Sequence, residues 1–224
     1  VHRYVSSRDP RRTLEAAPAE VADSPIVMMA AAQVATRLPA EESAASFAAI
    51  ERRAAELSNE QAGQLLASLG SIKRGTGDLA EAERLWNAAL AARPDDIQII
   101  AALQELACDR GDVARATATA AEIARLTGQN SPQGRVASAT ALTLAVRRQQ
   151  AKRVQDAAPA QRRSASATTA QENEQLLSAY NLLVEAENER PGWVRIQRLF
   201  ADVAILRGDL PEAVQRLQRA TRMG

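Results

Sequence analysis

Histidine, cysteine and the aromatic residues are nearly missing from this chain. Its one histidine is His2 and its one cysteine is Cys108. Nucleophilic catalysis by a Ser–His or Cys–His pair needs a histidine inside the fold, and His2 stands at a chain end, where fraying is expected. One His and one Cys do not make a usual zinc site. A lone cysteine forms no internal disulfide, so cysteine usage does not separate cytoplasm from periplasm. Carboxylates could still do acid–base work. Most of them, however, fall at helix caps or on solvated helix faces. The expectation is therefore a protein that is not an enzyme, with no catalytic residue, metal, cofactor or small-molecule substrate.

Aromatic residues make up 3% of the chain, while 46% is apolar. Much of that apolar fraction is alanine, which brings helix propensity rather than bulk. Such a core must rest on close helix–helix approach. Period-two alternation of β-branched and aromatic residues is missing too, so the chain reads as all-α. No apolar run approaches the ~20 residues of a membrane span. The most apolar stretch, Ile26–Ala32, is too short and too far in for a signal peptide. The chain begins with Val, which leaves room for a processed product or a piece of something longer. The expected compartment is the cytoplasm, or the periplasm if a targeting segment is missing. Lysine is almost absent as well, with only Lys73 and Lys152 among 28 basic residues. Heavy Ala and Arg usage points to GC-rich bacterial coding.

The net charge of +1 implies no overall attraction to nucleic acid or to an acidic membrane. The charge is unevenly spread, however. Residues 131–170 carry Arg135, Arg147, Arg148, Lys152, Arg153, Arg162 and Arg163 against Asp156 alone. The following stretch, 171–190, is acidic, with Glu172, Glu174, Glu185, Glu187 and Glu189 against Arg190. The basic run 147–163 could bind a phosphate backbone. It lacks interleaved aromatics for base stacking, which argues against nucleic acid. Its other reading is a solvated helix end and loop, paired with the acidic helix that follows.

What the chain does contain is a repeat. Gly-Asp occurs at Gly77-Asp78, Gly111-Asp112 and Gly208-Asp209, the first two pairs 34 residues apart. Each is followed by an apolar residue and then a small one, Ala82, Ala116 or Ala213. The glycine can take the left-handed conformation that closes one helix. The aspartate caps the next by accepting from its free N–H groups. Glu81 and Glu212 fall at the third helical position, where they would complete a capping box. The GTGD at 75–78 therefore reads as a turn. It has Ala80 where a dinucleotide loop needs glycine, and it follows a helix rather than a strand.

Counted from Gly63 as position 1, Leu69 and Gly70 fall at 7 and 8, Ala82 at 20, Trp86 at 24, Ala89 at 27 and Pro94 at 32. This pattern resembles the tetratricopeptide repeat (TPR). The match is close over 63–96. The next unit, 97–130, keeps Leu103, Ala116 and Ala120 but has Gly128 in place of the proline. Ala179, Leu183, Ala186 and Pro191 fit a second helix, and 194–224 adds a whole hairpin. Residues 25–57 read as a degenerate hairpin with Phe47, Ile50, Ala54 and Leu57 on one face. Residues 132–155 suit a longer helix than the family uses, and 156–170 read as a loop or disordered insert. The expected organisation is an N-terminal segment 1–24, read as the end of a preceding repeat, then hairpins over 25–130, the long helix and insert over 131–170, and hairpins again over 171–224.

The resemblance implies a right-handed superhelical solenoid of about five helical hairpins. It also implies a concave groove, lined by the first helix of each hairpin, that holds a peptide or partner protein. In that register the groove residues are Gln64, Ser71 and Arg74 in one repeat, Gln98, Glu105 and Cys108 in the next, and Arg195, Arg198 and Asp202 in the last. The chaperone-binding branch of the family clamps a carboxylate with Lys and Asn. Here those positions are Ala67, Ser71, Ala101 and Glu105, which argues against that clamp. Arg195 and Arg198 are the best candidates for an acidic ligand group, since arginine can bind a carboxylate in a fork. The expected function is a non-catalytic scaffold for protein–protein interaction. Two alternatives are a polyanion-binding module using 147–163 and a self-association module using the terminal helix, with Leu210, Val214, Leu217 and Met223.

Overall fold

A computed structural model describes residues 24–223. The N-terminal segment 1–24, His2 included, lies outside the described residues except for Ser24. All regular structure among the described residues is helical. The chain divides into two compact units, Val1–Ile99 and Ile100–Gly224.

The first unit holds α1 (Pro25–Ala35), α2 (Ala40–Ala54), α3 (Asn59–Gly75) and α4 (Leu79–Ala92). Ser24 caps α1 and Ser58 caps α3, each accepting from the N–H three residues on. Met28, Ala32 and Ala35 of α1 meet Phe47, Ile50 and Ala54 of α2, with Leu65 and Leu69 of α3. Helices α3 and α4 form the tightest hairpin. Gly77 takes φ 84° between them, and the Asp78 carboxylate accepts from the Glu81 N–H at 3.3 Å. Arg93 approaches Gly63 at one end of the pair, and Trp86 approaches Gly70 further along, so the two helices run antiparallel. A Cβ at Gly70 would stand 2.6 Å from the indole ring. Close approach thus replaces bulk, as the aromatic-poor composition requires. The chain leaves α4 through Arg93 in non-helical backbone, φ −137° and ψ 75°, because the following Pro94 disfavours the helical conformation. Arg190 before Pro191 repeats this with φ −135°.

Glu81 does not complete the expected capping box. Its carboxylate turns along the helix to Arg84, at 2.5 Å, and Arg84 also reaches Glu51 at 2.6 Å. Glu212 likewise pairs with Arg216 one turn on, at 3.5 Å. A charged guanidinium on the same face is a stronger partner for a carboxylate than a neutral backbone N–H. The reciprocal box forms instead at Thr169 and Glu172.

Helix α5 (Ile97–Arg110) crosses the boundary between the units. The second unit continues with α6 (Val113–Thr127) and the 25-residue α7 (Pro132–Asp156). A 3-10 turn at Pro159–Gln161 and the short α8 (Arg162–Ala165) follow, so the segment 156–170 is not wholly irregular. Then come α9 (Ala170–Glu189), α10 (Val194–Arg207) and α11 (Leu210–Met223). Helix α7 touches α6, α9 and α10. It is therefore buried on several sides over Gly134–Val146. Two threonines lie in that buried stretch. Thr140 and Thr143 donate to the carbonyls of Val136 and Ala139, each at 2.7 Å, so neither hydroxyl is left unsatisfied. Helix α9 runs antiparallel to α7, with Arg135 on Glu185 and Glu189 at one end and Arg153 on Glu172 at the other. The core between them holds Val136, Val146, Leu176, Leu183, Ile196 and Phe200. Tyr180 meets Phe200 edge-on at 5.0 Å, and Arg216 covers its other neighbourhood at 4.0 Å. Trp193 packs against this core at the entry to α10.

Candidate functional site

In the second unit, α5, α7 and α10 bring a charged cluster together. Arg195, Arg198 and Asp202 recur at helical spacing along one face of α10. Arg195 donates to Glu105 of α5 at 3.3 Å and to the Gln104 side-chain oxygen at 3.4 Å. Asp202 pairs with Arg147 of α7 at 2.9 Å. Arg198, between these two pairs, is exposed and makes no ion pair among the described residues. The row thus presents one uncompensated guanidinium flanked by two compensated charges.

Gln104 holds this corner of the cluster from beneath. It is fully buried, and its amide donates to Ala137 O of α7 at 2.9 Å and to Ala116 O of α6 at 3.3 Å. Its oxygen is left to face Arg195. One buried amide therefore ties three helices to the guanidinium of a fourth, and every polar atom is used. Sequence reasoning missed it by looking only at groove positions. The available signal was a glutamine at position 8, where the preceding repeat has Gly70.

Burial pushes the Asp202 carboxyl above its ordinary value, with Arg147 opposing. Burial also raises the Cys108 thiol; Arg195 and Arg147 pull it down, while Asp109 and Glu105 push it up. Cys108 sits partly buried beside Ala107, Ala116 and Leu144, and that burial favours the neutral thiol. A protonated thiol is a poor nucleophile. Alkylation by iodoacetamide at pH 7.5 is expected to run slower than for glutathione, followed by intact-mass spectrometry. A rate equal to that of glutathione would contradict this placement.

The other groove candidates belong to the first unit. Gln64, Ser71 and Arg74 share a face of α3. The Gln64 amide donates to Glu60 at 2.8 Å, and the Ser71 hydroxyl donates back to Ala67 O at 3.1 Å. Gln98 is exposed in the first turn of α5, its N–H donating to Asp96 at 2.9 Å. The structure gathers Glu105, Arg195 and Asp202, with Arg198 beside them.

The basic stretch 147–163 is partly neutralised from within. Arg147 is held by Asp202, and Arg153 by Glu172 and Ala167 O. Arg148, Lys152 and Arg162 make no ion pair among the described residues. No group of His, Cys, Asp and Glu suited to a metal ion occurs among the described residues. No helix there is long and apolar enough to cross a membrane. No known family model matches the sequence, and no curated protein resembles it at a significant level.

Proposed function

We propose that the chain is a non-catalytic scaffold of tetratricopeptide type that binds a partner protein or peptide along its helical groove, with an acidic group of the partner on Arg198. The observation that carries this reading is the α10 row. Its outer charges are satisfied by Glu105 and Arg147, and Arg198 makes no ion pair among the described residues. Support for the repeat reading comes from Gly77, Gly111 and Gly208. All three take positive φ before an aspartate that accepts from the next helix's N–H groups. A groove preformed by rigid helices avoids much of the ordering cost of binding.

The test is affinity capture from a bacterial lysate by the parent chain and by Arg198→Glu, before and after nuclease treatment. Arg198 is exposed and makes no ion pair among the described residues, so its variant should fold normally. A protein held by the parent, reduced at least tenfold by the variant and indifferent to nuclease is the expected result. Equal capture by both would sink the groove assignment. Loss of everything on nuclease treatment would favour the polyanion alternative through 147–163.

A second reading is self-association through α11. Leu210, Val214 and Leu217 are 61%, 54% and 45% exposed, on a stripe beside the face that buries Ala213 and Ala220. Sedimentation from 1 to 200 μM tests it on an order-of-magnitude range that brackets weak to moderate dimers. A mass that stays monomeric throughout removes this reading.

A further inference from the structure

A cleft of about 560 Å³ lies where the C-terminal half of α7 meets the end of α10 and the segment before α9. Its lining includes Ala151 and Val154 of α7, Leu206 of α10, and the guanidinium-bearing Arg147 and Arg162. The segment that walls it is tied down. Thr168 donates to Leu206 O at 2.9 Å, Gln150 reaches both Thr168 and Leu206 O at 3.3 Å, and Arg153 donates to Ala167 O at 3.0 Å. The cleft is therefore preformed, and its size suits a small ligand or a few side chains.

Two facts join it to the α10 row. Arg147 lines the cleft and also pairs with Asp202. Leu206 lies one turn beyond Asp202 on the same helix face. A segment lying along the row would thus run into the cleft. Eight residues separate Arg198 from Leu206, a rise of roughly 12 Å at 1.5 Å per residue. An extended peptide covers that in about four residues at ~3.3 Å each. Arg162, exposed and without an ion pair among the described residues, adds a positive charge to the cleft's lining.

We infer that the cleft receives an aliphatic side chain of the partner peptide, about four residues from the acid on Arg198 and followed by a second acid that Arg162 receives. The inference rests on the groove reading above and specifies its ligand. Aliphatic walls favour an apolar group, and the uncompensated guanidiniums of Arg198 and Arg162 favour carboxylates on either side of it.

The probe is the peptide GSDSASLDSG, together with its reverse, titrated into the full chain carrying methyl labels on Val and Leu. Shifts of the Val154 and Leu206 methyl resonances are expected. Arg162→Glu should weaken them at least tenfold, and so should Ser in place of the probe's Leu. Binding that ignores both changes overturns the cleft and leaves the groove reading standing. Loss with Arg162→Glu but not with Arg198→Glu keeps the cleft and removes the row. No shift from either peptide at 1 mM, an affinity bound near −4 kcal/mol, overturns the inference. Octanoate that matches the peptide's shifts and affinity would give the site to a free carboxylate and overturn the peptide as occupant.

Discussion

Replacing Trp86 with alanine is expected to cost the first unit roughly 3–5 kcal/mol, the usual range for removing a large buried aromatic. The side chain is 2% exposed, and its Nε1 donates to Ala67 O at 3.0 Å. Its ring fills the space left open by Gly70, so its loss leaves a void between two rigid helices. Urea unfolding followed by circular dichroism measures the effect. The complementary change is more diagnostic. In an isolated helix, Gly70→Ala would stabilise by about 1 kcal/mol. Here the added Cβ would press within 2.6 Å of the indole, and overpacking of this kind costs about 1–3 kcal/mol. Gly70→Ala is thus expected to destabilise. Stabilisation would mean that α3 and α4 do not approach each other at this point.

Glu172→Gln is expected to cost the second unit about 2–3 kcal/mol. The carboxylate is buried, accepts two guanidinium hydrogen bonds from Arg153, and accepts the Thr169 N–H at 2.9 Å to close the capping box. A charge-assisted hydrogen bond contributes about 1.5–3 kcal/mol, and the glutamine oxygen can still accept the Thr169 N–H, so the loss falls on the Arg153 pair. Arg153 keeps some contact with water, which limits the cost of stranding it. The acid response follows with a definite sign. The Arg153 hydrogen bond holds the Glu172 pKa below its ordinary 4.5, against an opposing effect of burial. A lowered carboxyl pKa contributes stability in full above the ordinary value, and that stability is lost as pH falls through the folded one. The gap in melting temperature between parent and Glu172→Gln should therefore be constant from pH 7 to 5 and narrow progressively as pH falls below the ordinary value. A gap that does not narrow at all between pH 5 and pH 3 would show that the carboxylate's charge is not what stabilises this corner.

The hairpins were legible because their turns are encoded locally. A glycine able to take positive φ, an aspartate that reaches the N–H groups three residues on, and a proline that stops a helix each act over a handful of residues. Gly77, Asp78 and Pro94 therefore announce α3 and α4, and their recurrence marks the other turns. The long α7 was legible too, since no proline or glycine follows Gly134 before Asp156. Glu81 was misread because its choice between a backbone N–H and Arg84 turns on side-chain geometry that spacing does not convey.

The charged cluster was legible only in its parts. Arg195, Arg198 and Asp202 could be placed on one helix face from their spacing alone. That Glu105 satisfies Arg195 across 90 residues, and Arg147 satisfies Asp202 across 55, could not be read. The repeat register breaks between Gly111 and Gly208, so no spacing rule connects α5, α7 and α10. All-helical architecture among the described residues and the turns are properties of composition and near neighbours, and the chain carries them in its order of residues. Which of its many arginines are neutralised is a matter of packing. Helices distant in sequence must be brought within about 4 Å before one carboxylate can answer one guanidinium, and Arg198 stands out only after Arg195 and Asp202 have been matched.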